Sequence, residues 1–428
     1  MRLPSRCVKP GTVELEIERI VPGGFGLART ADGVVFVRGA LPGERVTARP
    51  REVSGVLRAF AIEILEPHPA RASFELPPGA DLPIAYEQQA AIKHGLVVDA
   101  LTRIAKLDAD IEPVRPSPVE LGYRTAAQYV ALEGGGLGAR AIGSDRIVPL
   151  RGDALIAPPL VRAFEACGAR DLAPATEVVF RGSLHEDRVV VGLLGDRTQR
   201  LERLARTLHG AGITGITWGE TDARGRFRGR SKLLEGKATL LEDLGGILVS
   251  VSVDAFSQVN PLAASALFRD AADAAGGGTK ALDLYAGSGI MGMHLARTFD
   301  EVVAVEISPD AVKQGRKDAR RLGIENLTFD HADARTAARF FPADLVVVDP
   351  PRAGLSEGTV SLLVRQQPGR IIYISCDPST WARDVGTLTA SGYALTLARP
   401  YDFYPFTHHV EVLSVLELQA ASPVSRSM

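Results

Sequence analysis

The stretch Lys280-Ala-Leu-Asp-Leu-Tyr-Ala-Gly-Ser-Gly-Ile-Met-Gly292 decides the fold of this chain. Its first half is an apolar run suited to a buried strand, and its second half is a glycine-rich turn opening a helix. Gly287 and Gly289 let the backbone bend tightly and approach a ligand with no Cβ in the way. Such a turn also serves dinucleotides, so the residues downstream must narrow the choice. A second strand, Glu301-Val-Val-Ala-Val-Glu306, ends in an acid able to accept both hydroxyls of a ribose. A third closes on Asp330-His-Ala-Asp333, where an acid typically meets an adenine edge. A fourth, Leu345-Val-Val-Val-Asp349, runs into Pro350-Pro351-Arg352. A fifth, Arg370-Ile-Ile-Tyr-Ile-Ser375, reads as a buried strand of a parallel sheet and runs into Cys376-Asp-Pro378, with a helix expected over Thr380 to Leu388. Open α/β sheets hold ligands beyond the carboxyl ends of their strands, so the last two strand ends aim a thiol, Cys376, and a carboxylate, Asp349, into one crevice.

Each of these signals has a plainer reading. A cysteine in an apolar stretch is ordinarily a small core residue. A Pro-Pro after a strand is ordinarily a rigid turn, since proline fixes φ and removes a donor. Strand-end carboxylates can simply cap helices. Their joint occurrence in one strand–turn–helix series is what favours chemistry.

At 428 residues the chain exceeds one ordinary core, and two or three domains are expected. Hydrophobic residues make up 46% and charged ones 23%, the balance of a globular, soluble protein. No apolar stretch reaches membrane-spanning length, and the opening residues lack the apolar core of a signal peptide. Cys7, Cys167 and Cys376 are far apart, which argues against a disulfide framework and for a reducing cytoplasm. A net charge of −2 neither requires nor forbids nucleic acid, so an RNA binder of this composition needs a local basic face.

Residues 8–67 read as a small β-barrel: Val13 to Glu18 alternates apolar and acidic residues, and short strands recur between Gly/Pro turns such as Pro22-Gly23-Gly24 and Pro42-Gly43. Residues 68–254 read as a mixed α+β central domain. Within it Tyr86 to Leu107 is an amphipathic helix, with Ile92, Leu96, Val97, Ala100, Leu101 and Ile104 near helical spacing and an apolar face expected to pack on the next domain. Gly225 to Lys232 is a basic loop with one aromatic, either a phosphate grip or a solvated hairpin tip. Residues 255–420 carry the strand–turn–helix series of a Rossmann-like domain.

The spacing of Asp283, Glu306, Asp333 and Asp349 resembles the successive strand ends of class I S-adenosylmethionine methyltransferases. With Asp349-Pro-Pro-Arg352, Ser375-Cys-Asp-Pro378 and His408-His-Val-Glu411 added, the chain resembles the uracil-C5 RNA methyltransferase family, which makes 5-methyluridine in transfer and ribosomal RNA. Phe256-Ser-Gln-Val-Asn260 is similar to the family's segment before the cofactor domain, whose glutamine contacts S-adenosylmethionine. The N-terminal barrel resembles the TRAM domain with which many members hold RNA. The resemblance implies cofactor contacts at Gln258, Tyr285, Gly287, Glu306, Asp333 and Asp349. It also implies a monomeric, cytoplasmic enzyme acting on RNA, with ribosomal RNA favoured over transfer RNA. Two departures stand out. Ribosomal members often carry four cysteines for an iron–sulfur cluster, but Arg71 to Tyr86 and Leu150 to Leu155 contain none, so no cluster or other metal is expected. Ile290 stands where members commonly have asparagine after the glycine turn.

Uracil C5 is a poor nucleophile toward a sulfonium methyl group. A thiolate adding to C6 makes the ring an enolate and C5 electron-rich, the covalent role implied for Cys376. The C5 proton must then leave so that the thiol is eliminated, the general-base role implied for Glu411. Asp349 would orient base and cofactor, and Arg352 would bind a base carbonyl or a phosphate. A stacked uridine hides both carbons, so the target must be flipped out or lie in a loop. Two other classes compete. A strand-end Asp-Pro-Pro also suits methylation of an exocyclic amine, against which Arg352 and Cys376 count. A non-catalytic RNA-binding or assembly protein of the same fold is the other, against which the intact Cys376 and Glu411 count.

Overall fold

A computed structural model of the protein describes residues 11–31, 33–74, 76–77, 79–141, 145–220 and 231–419. The sequence readings at Cys7, at residues 225–230 of the basic loop and beyond 419 lie outside these residues.

The first unit pairs strands Val13–Glu16, Arg45–Ala48, Val56–Glu66, Gly33–Arg38, Phe25–Thr30 and Arg19–Val21 in that spatial order, with Arg51–Val53 added against Val56–Glu66. The chain between its two end strands closes the sheet: Ile17 N donates to Glu44 O at 3.0 Å and Glu18 N to Leu27 O at 2.8 Å. Leu15, Ile17, Val35, Val37 and Val46 fill the interior. Gly24, at φ 72°, lets the first hairpin reach the rest of the molecule. A Cβ there would stand 2.7 Å from His408 Nδ1.

A seven-stranded central sheet follows, backed by helices over Pro158–Gly168 and Gln199–Gly210. Their core joins Phe164, Val178, Phe180, Val191, Leu201 and Leu208. The hairpin Leu240–Asp243 and Leu248–Val251 then leads into the last unit.

That unit is a sheet of β1 (Gly278–Leu284), β2 (Phe299–Glu306), β3 (Leu327–His331), β4 (Leu345–Val348), β5 (Arg370–Ser375), β6 (Tyr393–Tyr401) and β7 (Glu411–Leu418). Their spatial order is β3-β2-β1-β4-β5-β7-β6. The reading of Arg370–Ser375 as a strand of a parallel sheet holds, β1 to β5 being parallel, while β7 runs antiparallel to both β5 and β6. The strands read as unbroken apolar runs because both faces are covered. Alternate residues Ala281, Val302, Val347 and Ile372 face one core, and Leu282, Val303, Val346 and Ile371 face the other.

Among the described residues, the α-helices serving this sheet are α1 (Tyr86–Ala100), α2 (Pro261–Ala275), α3 (Ile290–Leu295), α4 (Pro309–Arg321), α5 (Glu357–Gln366) and α6 (Pro378–Ala390). Although α1 precedes the central sheet in the chain, Val97, Ala100 and Leu101 enter the same apolar cluster as Trp381 and Val385 of α6. Gly386 makes this possible, since a Cβ there would lie 3.1 Å from the Ala105 Cα. The helix reading differs from the sequence at its end. Regular α-helix stops at Ala100, one π turn runs to Ala105, and Ile104 is 45% exposed rather than on the apolar face. No helix among the described residues is long and apolar enough to cross a membrane.

Candidate active site

The ends of β1, β2, β4 and β5 and the start of β7 meet along one edge of the sheet. Cys376 directly follows β5, and Glu411 opens β7. Ser375 pairs with Val412 across the antiparallel ladder, so thiol and carboxylate belong to the next rung. Asp377 caps α6 by accepting from Ser379 N at 2.9 Å and Thr380 N at 3.0 Å, which fixes the turn carrying the thiol. Asp349 follows β4 next to β5.

Burial and the nearby carboxylates shift these groups. Burial pushes the Cys376 thiol up to about 12, and the carboxylates of Glu411 and Asp349 add to the shift while Arg352 opposes it. Burial, with Asp349 adding, raises Glu411 to about 8. Asp349 is raised to about 7 by burial. The site therefore holds its resting thiol protonated and can lodge a proton on a carboxyl group near neutral pH. Arg352 is exposed at the rim, its Nη2 3.4 Å from His409 Nε2. Burial, His408 and Arg352 push His409 down to about 3, so its ring is neutral.

On the other side of the crevice Tyr285 adopts φ 61° and ties its hydroxyl to Thr359 Oγ1 at 2.8 Å. Gly287 follows at φ 55°, and a Cβ there would meet nothing within 4 Å, so the turn faces open space. Glu306 accepts from Gly287 N at 2.9 Å and Ser308 N at 2.7 Å, leaving each oxygen a further lone pair. Asp283 is the last-but-one residue of its strand. It lies inside β1, 1% exposed, and accepts from Gly292 N at 2.8 Å. Burial raises it to about 7, with Asp349 and Glu306 adding.

Asp333 lies two residues beyond β3 and is paired with Arg335, Nη2 to Oδ2 at 2.7 Å, while capping the 3-10 turn after it. Gln258 is half-buried in the segment before α2, whose neighbours are anchored elsewhere: Thr125 N donates to Val259 O at 2.8 Å and Asn260 Nδ2 to Phe403 O at 3.1 Å. Thus Cys376, Glu411, Asp349 and Arg352 are brought together, and Glu306 and Gly287, with Asp283 behind them, form the adjoining part.

The sequence reading missed the groups that support this arrangement. Asp81, in the loop after the barrel, accepts from His408 N at 2.9 Å and from Arg38 Nη1 at 3.0 Å, and lies 2.7 Å from His408 Nδ1. Lys93 of α1 is fully buried against Asp402 at 2.6 Å. A lysine between Ile92, Leu96 and Val97 was its available signal.

Comparison with known proteins bears on this site. A family model described as tRNA (uracil-5-)-methyltransferase matches residues 247–419. An uncharacterized RNA methyltransferase of Halalkalibacterium halodurans is 30% identical over 448 residues, covering 96% of this chain and 98% of the relative. Another, of Gloeobacter violaceus, is 32% identical over 458 residues, covering 96% and 99%. The fold is similar to the crystal structure of Pyrococcus abyssi tRNA (uracil-54, C5)-methyltransferase in complex with S-adenosyl-L-homocysteine. That match has a TM-score of 0.78 and 24% identity, and covers 94% of this chain and 100% of the other.

Proposed function

Because the chain belongs to the tRNA (uracil-5-)-methyltransferase family of RNA methyltransferases, we propose that it methylates C5 of a uridine in RNA through a covalent adduct on Cys376, with Glu411 as the base. The observation that carries this reading is the placement of Cys376, Glu411 and Asp349 at the meeting ends of the adjacent strands β5, β7 and β4, where both carboxylates act on the thiol. S-adenosylmethionine, when bound, supplies the electrophilic methyl group. The residues present fit it: the turn at Gly287 is open, Glu306 has free lone pairs for a ribose, and the Pyrococcus protein of the same fold was crystallised with the demethylated product of this donor.

In this scheme the uridine enters unstacked, with its C6 against Cys376 Sγ. The thiol proton passes to solvent as the C6–S bond forms, to be regained when the sulfur later departs as a thiolate, and the ring electrons move toward C5. Asp349 orients the base at the methyl donor. After transfer, Glu411 removes the C5 proton, the C5–C6 double bond re-forms and the sulfur departs. A base whose pKa is raised to about 8 by burial is matched to taking a proton near neutral pH. Gln258, Tyr285 and Asp333 would complete the cofactor's surroundings, Asp333 by exchanging Arg335 for the ligand. The barrel and central domain would hold the flanking RNA, ribosomal or transfer.

RNA carrying 5-fluorouridine tests the scheme. Wild-type protein with S-adenosylmethionine should form a stable adduct, since fluorine cannot leave as a cation, and Cys376→Ala should form none. Methylation by Cys376→Ala near the wild-type rate would overturn the reading in favour of amine methylation. Mapping 5-methyluridine in both RNA classes from a strain lacking the protein identifies the substrate.

A further inference from the structure

The loop Asp402 to Thr407 joins β6 to the His408-His-Val-Glu411 segment, and it is held almost entirely from outside the methyltransferase sheet. Asp402 N donates to Arg115 O at 2.9 Å, and Asn260 Nδ2 to Phe403 O. Tyr123 OH donates to Pro405 O at 3.0 Å, and Leu82 N to Phe406 O at 3.0 Å. From α1, Gln89 Oε1 accepts from Phe406 N at 2.7 Å. One turn later, Lys93 Nζ donates to Asp402 Oδ1 at 2.6 Å and to Tyr404 O at 3.0 Å. Phe406 sits at φ 62°, a conformation that a non-glycine residue keeps only when its surroundings impose it.

Lys93 is the anomalous member of this set. It is 0% exposed and its partner Asp402 is 2% exposed. Burial pulls its pKa below the ordinary lysine value, and Asp402 opposes that only in part. A buried ion pair is weak evidence for stability, because apolar residues of the same volume often serve as well. What apolar residues cannot do is grip two specific oxygens of a loop. Lys93 fixes the loop at Asp402 and Tyr404, Gln89 fixes it at Phe406, and the chain then leads through Val410 to Glu411.

We propose that Lys93 is a positioning residue for the base: by holding Asp402 and the Tyr404 carbonyl it sets where the Glu411 carboxylate stands relative to Cys376. The consequence is selective. Proton removal from C5 depends on the placement of Glu411, whereas thiol addition and methyl transfer precede that step. This inference rests on the assignment of Glu411 proposed above.

The test compares Lys93→Met, the double variant Lys93→Met/Asp402→Leu and Glu411→Gln in the full chain, using unmodified uridine RNA and S-adenosylmethionine. The double variant leaves no buried charge unpaired and so guards against simple unfolding. Lys93→Met and the double variant should lose roughly ten- to hundred-fold in kcat with KM values for both substrates within about twofold. They should also accumulate a methylated protein–RNA adduct on denaturing gels, as Glu411→Gln should. Turnover by the folded double variant within about twofold of wild type, without adduct, overturns the proposal. So does failure of both variants to fold, which makes the pair a bond that only holds the fold. Absence of adduct in Glu411→Gln removes the base assignment itself and the proposal with it, by a separately visible route.

Discussion

Cys376 and Glu411 occupy the rung just beyond the Ser375–Val412 pair, and the Glu411 carboxylate makes the thiol harder to ionise. The thiol stands at about 12 and the carboxyl at about 8, burial being the largest cause for both. The sign of the coupling gives a prediction. Above about pH 8 Glu411 is an anion and opposes the thiolate. Glu411→Gln removes that anion, so Cys376 should titrate lower and alkylate faster with iodoacetamide. The gain should be small near pH 6, where Glu411 is already protonated, and should grow as pH passes about 8. Peptide-resolved mass spectrometry separates Cys376 from Cys7 and Cys167. Superimposable alkylation profiles for the two proteins would mean that the groups do not interact.

A second prediction concerns Glu306, whose oxygens already accept from Gly287 N and Ser308 N. Glu306→Gln keeps one acceptor oxygen and loses the charge. S-adenosylmethionine affinity should fall by roughly 1.5–3 kcal/mol, the range for hydrogen bonds to a charged group. Folding should survive, because the side chain stands at a strand end outside the apolar core. Calorimetry giving an unchanged Kd would move the ribose site away from β2.

Much of this arrangement was legible because its residues lie next to the strands that carry them. An apolar run ending in Asp349 or Cys376 states both the strand and the position of the side chain just beyond it. Helix α6 was legible for the same reason, as Asp377-Pro378 both caps and starts it. What escaped were contacts between segments far apart in the chain. Nothing local to Asp81 says that it meets His408, and nothing local to Lys93 says that Asp402 lies opposite. The antiparallel β7 was also hidden, since buried strands of either direction read as the same apolar run. Asp283 misled by its neighbours, because this carboxylate, four residues before Gly287, still lies in the strand and accepts from Gly292 N.

That buried carboxyl gives the last prediction. Asp283 is raised from 3.8 to about 7, by burial first and by Asp349 and Glu306 in addition, while the Gly292 N–H opposes the rise. Between about pH 4 and pH 7 the unfolded chain has released this proton and the folded chain still holds it. The folded state binds the extra proton, so stability falls as pH rises through that window and levels off above it. Asp283→Asn cannot ionise and keeps an oxygen to accept from Gly292 N. Relative to wild type, its stability should therefore climb from about pH 4 to pH 7 and keep its advantage above, by up to about 4 kcal/mol for a shift of this size. Thermal midpoints of both proteins at about pH 5 and about pH 8 measure the difference. An advantage that is equal at the two values, or larger at the lower one, would show that Asp283 ionises normally inside β1.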